Sequence, residues 1–294
     1  MYLPDFDYYS PATVHDACLT LARLEGGGRV LAGGTDLLPQ MKNGTLAPTA
    51  LVSLKEIREL GDIAYVPGRG VVIGARATQN GLVRSAALQE RYPAVCETAH
   101  GMANNQVRNR GTIGGNLVSA VPSADLPPIL IALGASVTVA APGQTRSIPL
   151  ESFFVRPRCS VIAPDQVVTE VVIPDQATTG SAYIKFGLRR SGALAVVGVA
   201  VSVVARGMHV DEVRIVLGAV SPTPVRACEA EGLLKGNTVT EGLLEEVGRA
   251  AGQGCRPITD IRGSDEYRRD MVAVFTRRAI RKALGLADGT GRSR

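Results

Sequence analysis

The sequence contains no tryptophan and only five cysteines, spread along 294 residues without a Cys-x-x-Cys pair. A scattered, odd set of cysteines argues against a disulfide framework and against an iron–sulfur cluster held by this chain alone. We therefore expect reduced, buried thiols and a cytoplasmic protein. The cysteines are Cys18, Cys96, Cys159, Cys228 and Cys255.

The residue patterns of common catalytic sites are also missing. The histidines His15, His100 and His209 are isolated, and none belongs to a His-Glu-x-x-His metal motif. There is no Gly-x-Ser-x-Gly turn, and no cysteine is predicted to pair with a histidine for nucleophilic attack, so we expect no nucleophilic catalysis. The sequence predicts no metal site and no catalytic acid–base pair on this chain.

Charge and hydropathy argue against two further classes of protein. The formal net charge of +5 is mild, and no stripe of basic and aromatic residues indicates nucleic-acid binding. The acidic, aromatic start is unlike a signal peptide, and the longest apolar run, 193–205, is too short to span a bilayer. Basic residues gather near the C-terminus, on a solvated helix face or on a docking surface for an acidic partner: Arg268, Arg269, Arg277, Arg278, Arg281 and Lys282.

The start of the chain predicts a compact α/β unit in the order helix, strand, glycine turn, helix, strand. Ser10 is expected to cap the first helix, with Pro11 at its first position. Strands are expected at 29–32 and 51–54, with a helix through Met41 between them.

After Pro174 the pattern changes to three strand-like runs, at 182–188, 195–206 and 213–219, which three helical segments follow. Runs of strands followed by runs of helices indicate a separate α+β domain. We place the boundary in the polar, turn-rich stretch 174–180.

The predicted fold class is therefore α+β with two domains. The first domain is expected at 1–176, with lobes at about 1–57 and 58–176. The second is a smaller domain at 177–286, with a three-stranded antiparallel sheet and helices, followed by a frayed tail at 287–294.

Two glycine pairs stand at turns that suit an anion. Such turns point backbone N–H groups at a phosphate and carry no side chain to hold it away, although the same turns also serve simply to change chain direction. Neither turn has the Rossmann or P-loop spacing, yet together they could hold a ligand with two phosphates. The first turn is Leu31-Ala32-Gly33-Gly34-Thr35-Asp36, and the second is Gly111-Thr112-Ile113-Gly114-Gly115-Asn116.

Two charged residues have alternative interpretations. Asp125 precedes Leu126 and two prolines, so its carboxylate either caps the helix that begins there or accepts a hydrogen bond from a ligand hydroxyl. Lys185 lies in a strand between apolar neighbours, where it is either solvated or placed to stabilise negative charge on a ligand.

Three segments together resemble the FAD-binding medium subunit of molybdenum hydroxylases: 31–37, 106–116 and 125–127. This family includes the flavoprotein subunits of carbon monoxide dehydrogenase, bacterial xanthine and nicotinate dehydrogenases, and hydroxybenzoyl-coenzyme A reductase. The Arg-Asn-Arg-Gly-Thr-Ile-Gly-Gly-Asn run and its spacing to Asp125 are specific to the family. The resemblance extends over nearly the whole chain.

The resemblance implies a two-part FAD-binding domain of the vanillyl-alcohol-oxidase (PCMH) type, followed by the family's C-terminal domain. Thr35 stands where covalent flavoproteins of the wider superfamily have a histidine, so FAD is expected to be non-covalent. The residues implied to bind it are Leu31, Ala32, Gly33, Gly34, Thr35, Asp36, Met102, Thr112, Ile113, Gly114, Gly115, Asn116, Asp125, Val168 and Lys185.

The resemblance also implies electron transfer within a complex. A large subunit would carry the molybdenum cofactor and a small subunit the two-iron clusters, with the whole assembled as a dimer of heterotrimers. The extra four-iron cluster of the coenzyme A reductase branch is not expected, because the cysteine-containing insertion is missing. Two alternatives remain: a nucleotide-binding scaffold, and a self-sufficient FAD-dependent reductase, for which Arg189 and Ser191 are the candidate substrate residues.

Overall fold

The computed structural model describes residues 3–189 and 192–286. The N-terminal part is built on a small parallel sheet with strand order β1-β3-β2. One glycine turn connects α1 to β2, and a second glycine turn connects β2 to α2. Its elements are β1 (Asp7–Tyr9), α1 (Val14–Arg23), β2 (Gly28–Leu31), α2 (Leu37–Lys42) and β3 (Ala50–Ser53).

The first helix begins later than the sequence suggests. Thr13, not Ser10, is the N-cap of α1, and its hydroxyl accepts a hydrogen bond from the Asp16 amide at 3.1 Å. The Thr13 hydroxyl also donates to the Asp16 carboxylate at 2.7 Å. The prediction that Ser10 caps this helix is therefore wrong, because Thr13 has a carboxylate three residues on that completes the cap.

An antiparallel sheet with strand order β4-β5-β10-β6-β7 follows. A hairpin forms its β6–β7 edge, and the central strand β10 returns from far along the chain to join β5 to β6. The strands are β4 (Ile63–Val66), β5 (Gly70–Gly74), β6 (Ser136–Ala141), β7 (Gln144–Pro149) and β10 (Val167–Ile173).

Short helices connect β5 to β6 and bury the largest of the three apolar clusters among the described residues. They are α3 (Gln79–Arg84), α4 (Ala86–Arg91), α5 (Pro93–His100), α6 (Asn105–Arg108), α7 (Ile113–Val118) and α8 (Leu126–Ala132). Every residue of α8 is buried. The second glycine turn differs from the expected loop, because α7 begins inside it. Between β7 and β10 lies a small hairpin of β8 (Phe154–Arg156) and β9 (Cys159–Ser160).

The C-terminal part has an antiparallel sheet of four strands in the order β11-β12-β13-β14. The predicted three-stranded sheet is thus wrong by one strand. The missed strand β14 has only two residues, too few for a recognisable alternation, and it pairs with Val216 and Leu217. The strands are β11 (Gly180–Phe186), β12 (Val197–Arg206), β13 (His209–Gly218) and β14 (Val225–Arg226).

Three helices cover one face of this sheet: α9 (Cys228–Leu234), α10 (Glu241–Gln253) and α11 (Asp265–Ala283). The basic residues of α11 do not form one solvated face. Arg268 is 1% exposed, donates to the Val196 carbonyl oxygen at 3.0 Å and pairs with Asp260 at 2.7 Å. Arg281 pairs with Glu241, and Lys282 pairs with Glu97 of α5 at 2.6 Å.

The N-terminal and C-terminal parts meet along α8. This helix packs against β12 and β13, and Gly218 of β13 leaves room for Pro128, since a Cβ there would lie 2.6 Å from the proline Cγ. The start of α8 therefore lies directly against the end of β13. No helix within the described residues is long and apolar enough to cross a membrane. The predicted tail at 287–294 lies outside the described residues.

Two glycines of α10 give a test of how tightly it packs on α11. A Cβ at Gly248 would lie 2.6 Å from the Ala273 carbonyl oxygen, whereas one at Gly242 would meet nothing within 4 Å. We expect Gly248→Ala to lower the free energy of unfolding by about 1–3 kcal/mol. Gly242→Ala should be neutral or stabilise by up to about 1 kcal/mol. Chemical denaturation of the full chain measures both, and equal effects would contradict this packing.

Candidate functional site

A cavity of about 480 Å³ lies where the glycine turns, the start of α8 and strand β11 meet. Both the N-terminal and the C-terminal parts line it, so neither encloses it alone. Its wall includes residues 32–37 of the first turn, Thr112 and 114–116 of the second, Asp125 and Lys185. Apolar contributions come from Met102, Val168 and Leu194, among others.

The first turn presents unused backbone donors. The amides of residues 33–36 donate no hydrogen bond to any residue within 3–189 and 192–286. Gly34 has φ +73°, a backbone conformation in which a residue with a side chain is strained. The backbone conformation itself therefore favours glycine at this position. A row of unpaired N–H groups along a cavity wall is a suitable site for an anion.

The first glycine of the pair is needed for contact between the two turns. A Cβ at Gly33 would lie 2.0 Å from the Arg110 carbonyl oxygen and 3.1 Å from the Gly111 Cα. A side chain at position 33 would therefore collide with the backbone of the second turn, and its absence allows the two turns to touch. A second link joins the Ser119 hydroxyl to the Asp36 carboxylate at 2.8 Å.

The second turn uses its amides within the protein, apart from the Thr112 amide, which donates to no described residue. Thr112 is the N-cap of α7 and accepts from the Gly115 amide at 3.1 Å, while the Gly114 amide donates to the Ala75 carbonyl oxygen at 2.9 Å. A Cβ at Gly114 would lie 2.8 Å from both Cβ and the carbonyl oxygen of Ala75. The expectation that Gly114 leaves room for a phosphate is therefore not met, because its open side faces Ala75.

Asp125 does not cap α8 with its side chain. Its carboxylate accepts from the Tyr183 hydroxyl at 2.8 Å and from the Lys185 ammonium at 2.7 Å, both on β11. Asp125 is 5% exposed. Burial raises the pKa of its carboxyl above the usual value, and the nearby Lys185 charge opposes that rise. The two residues that the sequence left open are thus partners of each other.

Of the residues expected to bind the ligand, all but two line the cavity. Leu31, the last residue of β2, is not among the lining residues, and Ile113 is completely buried in the core with its backbone amide donating to the Ala77 carbonyl oxygen.

Two side-chain oxygens of the wall have no hydrogen-bond partner among the described residues: Gln79 Oε1 and Asn116 Oδ1. Both are buried, and a buried acceptor without a partner is costly. Gln79 packs on the second turn, because its backbone amide donates to the Gly111 carbonyl oxygen at 3.0 Å. These unsatisfied carboxamides fit a polar ligand rich in hydroxyls.

Sequence reasoning missed Gln79. It follows Thr78, whose hydroxyl accepts from the Gly81 amide as the cap of α3, and the segment carries no glycine pair or charge that would mark a binding site. Arg29 and Arg108 also line the cavity without having been predicted. Arg108 donates to the Met102 carbonyl oxygen at 2.8 Å and so holds the segment that carries Met102. No group of three potential metal ligands occurs in the part of the chain that the structure describes.

Comparison with known proteins matches each of the two parts of the chain to a protein family. Residues 4–176 match the family described as FAD binding domain in molybdopterin dehydrogenase, and residues 182–283 match the CO dehydrogenase flavoprotein C-terminal domain. The carbon monoxide dehydrogenase medium chain of Hydrogenophaga pseudoflava is 35% identical, over 96% of this chain and 98% of its own. The xanthine dehydrogenase FAD-binding subunit of Escherichia coli O157:H7 is 27% identical, over 96% of this chain and 97% of its own.

The fold agrees with these matches. The structure of carbon monoxide dehydrogenase from Hydrogenophaga pseudoflava, solved in a form that lacks the Mo-pyranopterin moiety, superposes with a TM-score of 0.93 at 34% identity. It covers 97% of this chain and 99% of that chain. An FAD-binding domain followed by this C-terminal domain is the architecture of a flavoprotein subunit.

The chain belongs to the FAD-binding medium subunits of molybdenum hydroxylases, the family of carbon monoxide dehydrogenase and xanthine dehydrogenase. It is the flavoprotein subunit of a multi-subunit molybdenum-dependent oxidoreductase.

The contact between the two turns gives a prediction for Gly33. We expect Gly33→Ala to separate the turns, to lower the stability of the chain by about 1–3 kcal/mol and to reduce FAD retention together with it. Gly61→Ala is the matched control, because a Cβ there would meet nothing within 4 Å. Thermal unfolding of the FAD-free chain measures the first effect and flavin absorbance the second. Unchanged stability of Gly33→Ala would show that the turns are not in contact.

Proposed function

We propose that the cavity holds FAD non-covalently and that the unused amides of residues 33–36 bind its diphosphate. The observation that carries this proposal is the row of four successive amides without partners along the cavity wall, whereas in the second turn only the Thr112 amide has no partner among the described residues. Thr35 offers a hydroxyl beside these amides, in place of the histidine that covalent flavoproteins of the wider superfamily carry there. The glycines of the second turn contribute by allowing close backbone packing.

The remaining wall residues have complementary roles. The ionised Asp125 carboxylate accepts a hydrogen bond from a hydroxyl of the ligand, and Lys185 keeps that carboxylate charged. Gln79 and Asn116 gain from the ligand the hydrogen bonds that they lack within the chain. Met102, Val168 and Leu194 exclude water from the flat, apolar part of the ligand. Leu31 and Ile113 support the two turns from behind.

We propose that the domains divide at 176/177, with lobes at about 1–57 and 58–176 of a vanillyl-alcohol-oxidase (PCMH) type domain. Two observations support this division. The parallel sheet β1-β3-β2 and the antiparallel sheet β4-β5-β10-β6-β7 are separate, and the cavity lies between the turns that follow β2 and α6. The C-terminal domain then completes the wall with Lys185.

In the proposed assembly the chain accompanies a large molybdopterin subunit and a small iron–sulfur subunit as a dimer of heterotrimers in the cytoplasm. Bound FAD supplies both one-electron and two-electron transfer. The chain's own residues hold that group at a fixed place between two domains and shield it, and the reaction that names the complex takes place on another subunit.

A self-sufficient reductase is less well supported by the geometry. Arg189 is exposed and donates to the Gly192 carbonyl oxygen at 3.0 Å, which leaves no buried arginine for a substrate there. Ser191 lies outside the described residues. Bleaching of the isolated holoprotein by NADPH alone would favour that alternative.

Two variants test the proposed FAD site. Asp125→Ala removes an acceptor and Gln79→Ala removes a buried carboxamide, so each should weaken FAD binding by roughly tenfold or more. Gln253→Ala, at an exposed position in α10, is the control and should bind as the unaltered chain does. Isothermal titration of the FAD-free full chain gives the dissociation constants. Acid precipitation should release all the flavin into the supernatant if the bond is non-covalent. A colourless chain that does not take up FAD would contradict the proposal.

A further inference from the structure

Tyr183 makes a contact with the cavity wall that the ligand-binding role of Asp125 does not by itself explain. Its hydroxyl donates to Asp125 Oδ1 at 2.8 Å, while Lys185 donates to Oδ2 at 2.7 Å. Both carboxylate oxygens therefore have a fixed donor. Tyr183 is not among the residues that line the cavity, whereas Asp125 and Lys185 are. It acts from behind the wall.

The strand geometry keeps the phenol in this place. Tyr183 and Lys185 are two residues apart on β11, so they point to the same face of the sheet. A Cβ at Gly198 on the paired strand β12 would lie 2.5 Å from the Tyr183 hydroxyl oxygen. The ring therefore lies across β12 at a position where only glycine fits. Burial and the Asp125 charge raise the pKa of the Tyr183 hydroxyl well above its usual value, so it remains a donor.

We propose that Tyr183 is a positioning residue for FAD: its hydroxyl holds the Asp125 carboxylate in one orientation and in the ionised form, so that the carboxylate can accept a hydrogen bond from the cofactor. This inference rests on the proposed FAD site. It makes the C-terminal domain responsible for the charge state of a binding residue that belongs to the N-terminal part. The phenol itself does not touch the cofactor.

The sign of the effect follows from the hydrogen bonds. A donor to a carboxylate stabilises the ionised form and lowers the carboxyl pKa. Removal of the Tyr183 hydroxyl leaves burial opposed by Lys185 alone, so the Asp125 pKa rises. Because the ionised carboxylate is the stronger acceptor for the ligand hydroxyl, FAD affinity in the variant should fall at a higher pH than in the unaltered chain.

Tyr183 and Lys185, both on β11, are the titratable residues in hydrogen-bond contact with Asp125 among the described residues. Helix α7 carries no titratable side chain. The other elements packed against α8 carry groups that form no ion pair or hydrogen bond with Asp125 in the part of the chain that the structure describes: Cys96, Glu97, His100, Glu151, Arg206, His209, Asp211, Glu212 and Arg214.

A double-mutant cycle on the full chain tests the proposal. The variants are Tyr183→Phe, Asp125→Asn and the combination, and the readout is the FAD dissociation constant measured by titration between pH 5 and 8. Tyr183→Phe should weaken FAD binding by roughly tenfold at pH 6, and the acid limb of its affinity should move up by about one pH unit. In the Asp125→Asn background the same change should have no further effect, because the carboxylate on which it acts is gone.

The outcomes separate this inference from the proposed function. If Asp125→Asn weakens binding but Tyr183→Phe leaves the dissociation constant and the pH profile unchanged, the positioning role is overturned and the FAD site stands. If the effects of the two changes add in the double variant, Tyr183 acts by packing alone, and the inference is again overturned. If the unaltered chain binds no FAD, the proposed function itself fails. Thermal unfolding of the FAD-free variants shows whether Tyr183→Phe folds as the unaltered chain does.

Discussion

Two polypeptide turns can touch through their backbones only where side chains are absent, and this constraint shapes the binding cavity. Gly33 faces the Arg110 carbonyl oxygen so closely that a Cβ would overlap it. Gly114 faces Ala75 in the same way. The glycines thus bring β2, β5 and the start of α7 together. The amides of residues 33–36 have no partners among the described residues, and a surface of this kind suits a diphosphate.

The buried Asp125 carboxylate is the second element on which the site depends. It belongs to the N-terminal part, but both its donors, Tyr183 and Lys185, come from the first strand of the C-terminal sheet. A buried carboxylate with only one partner would be costly, so the packing of α8 on that sheet and the chemistry of the wall support each other. The C-terminal part therefore contributes to the cavity wall.

Much of the fold and site could be predicted from local patterns. The glycine turns, the strands around them and the change of pattern after Pro174 depend on neighbouring residues, so sequence periodicity indicated them. The elements that were wrong or missed depend on weak or distant signals. Strand β14 is two residues long, the helix cap shifted from Ser10 to Thr13, and Gln79 became part of the wall only because its segment packs on Gly111.

The sequence by itself determined the family, the order of the elements and the residue types at the two turns, because these are properties of contiguous segments. Only the tertiary structure decided which of the two turns has free amides, since that depends on the distant carbonyl of Ala75. It also decided that Asp125 is held by Tyr183 and Lys185 and does not cap its own helix. Residues about sixty positions apart meet there because the C-terminal sheet packs on the helix that begins at Asp125, and no local pattern encodes that meeting.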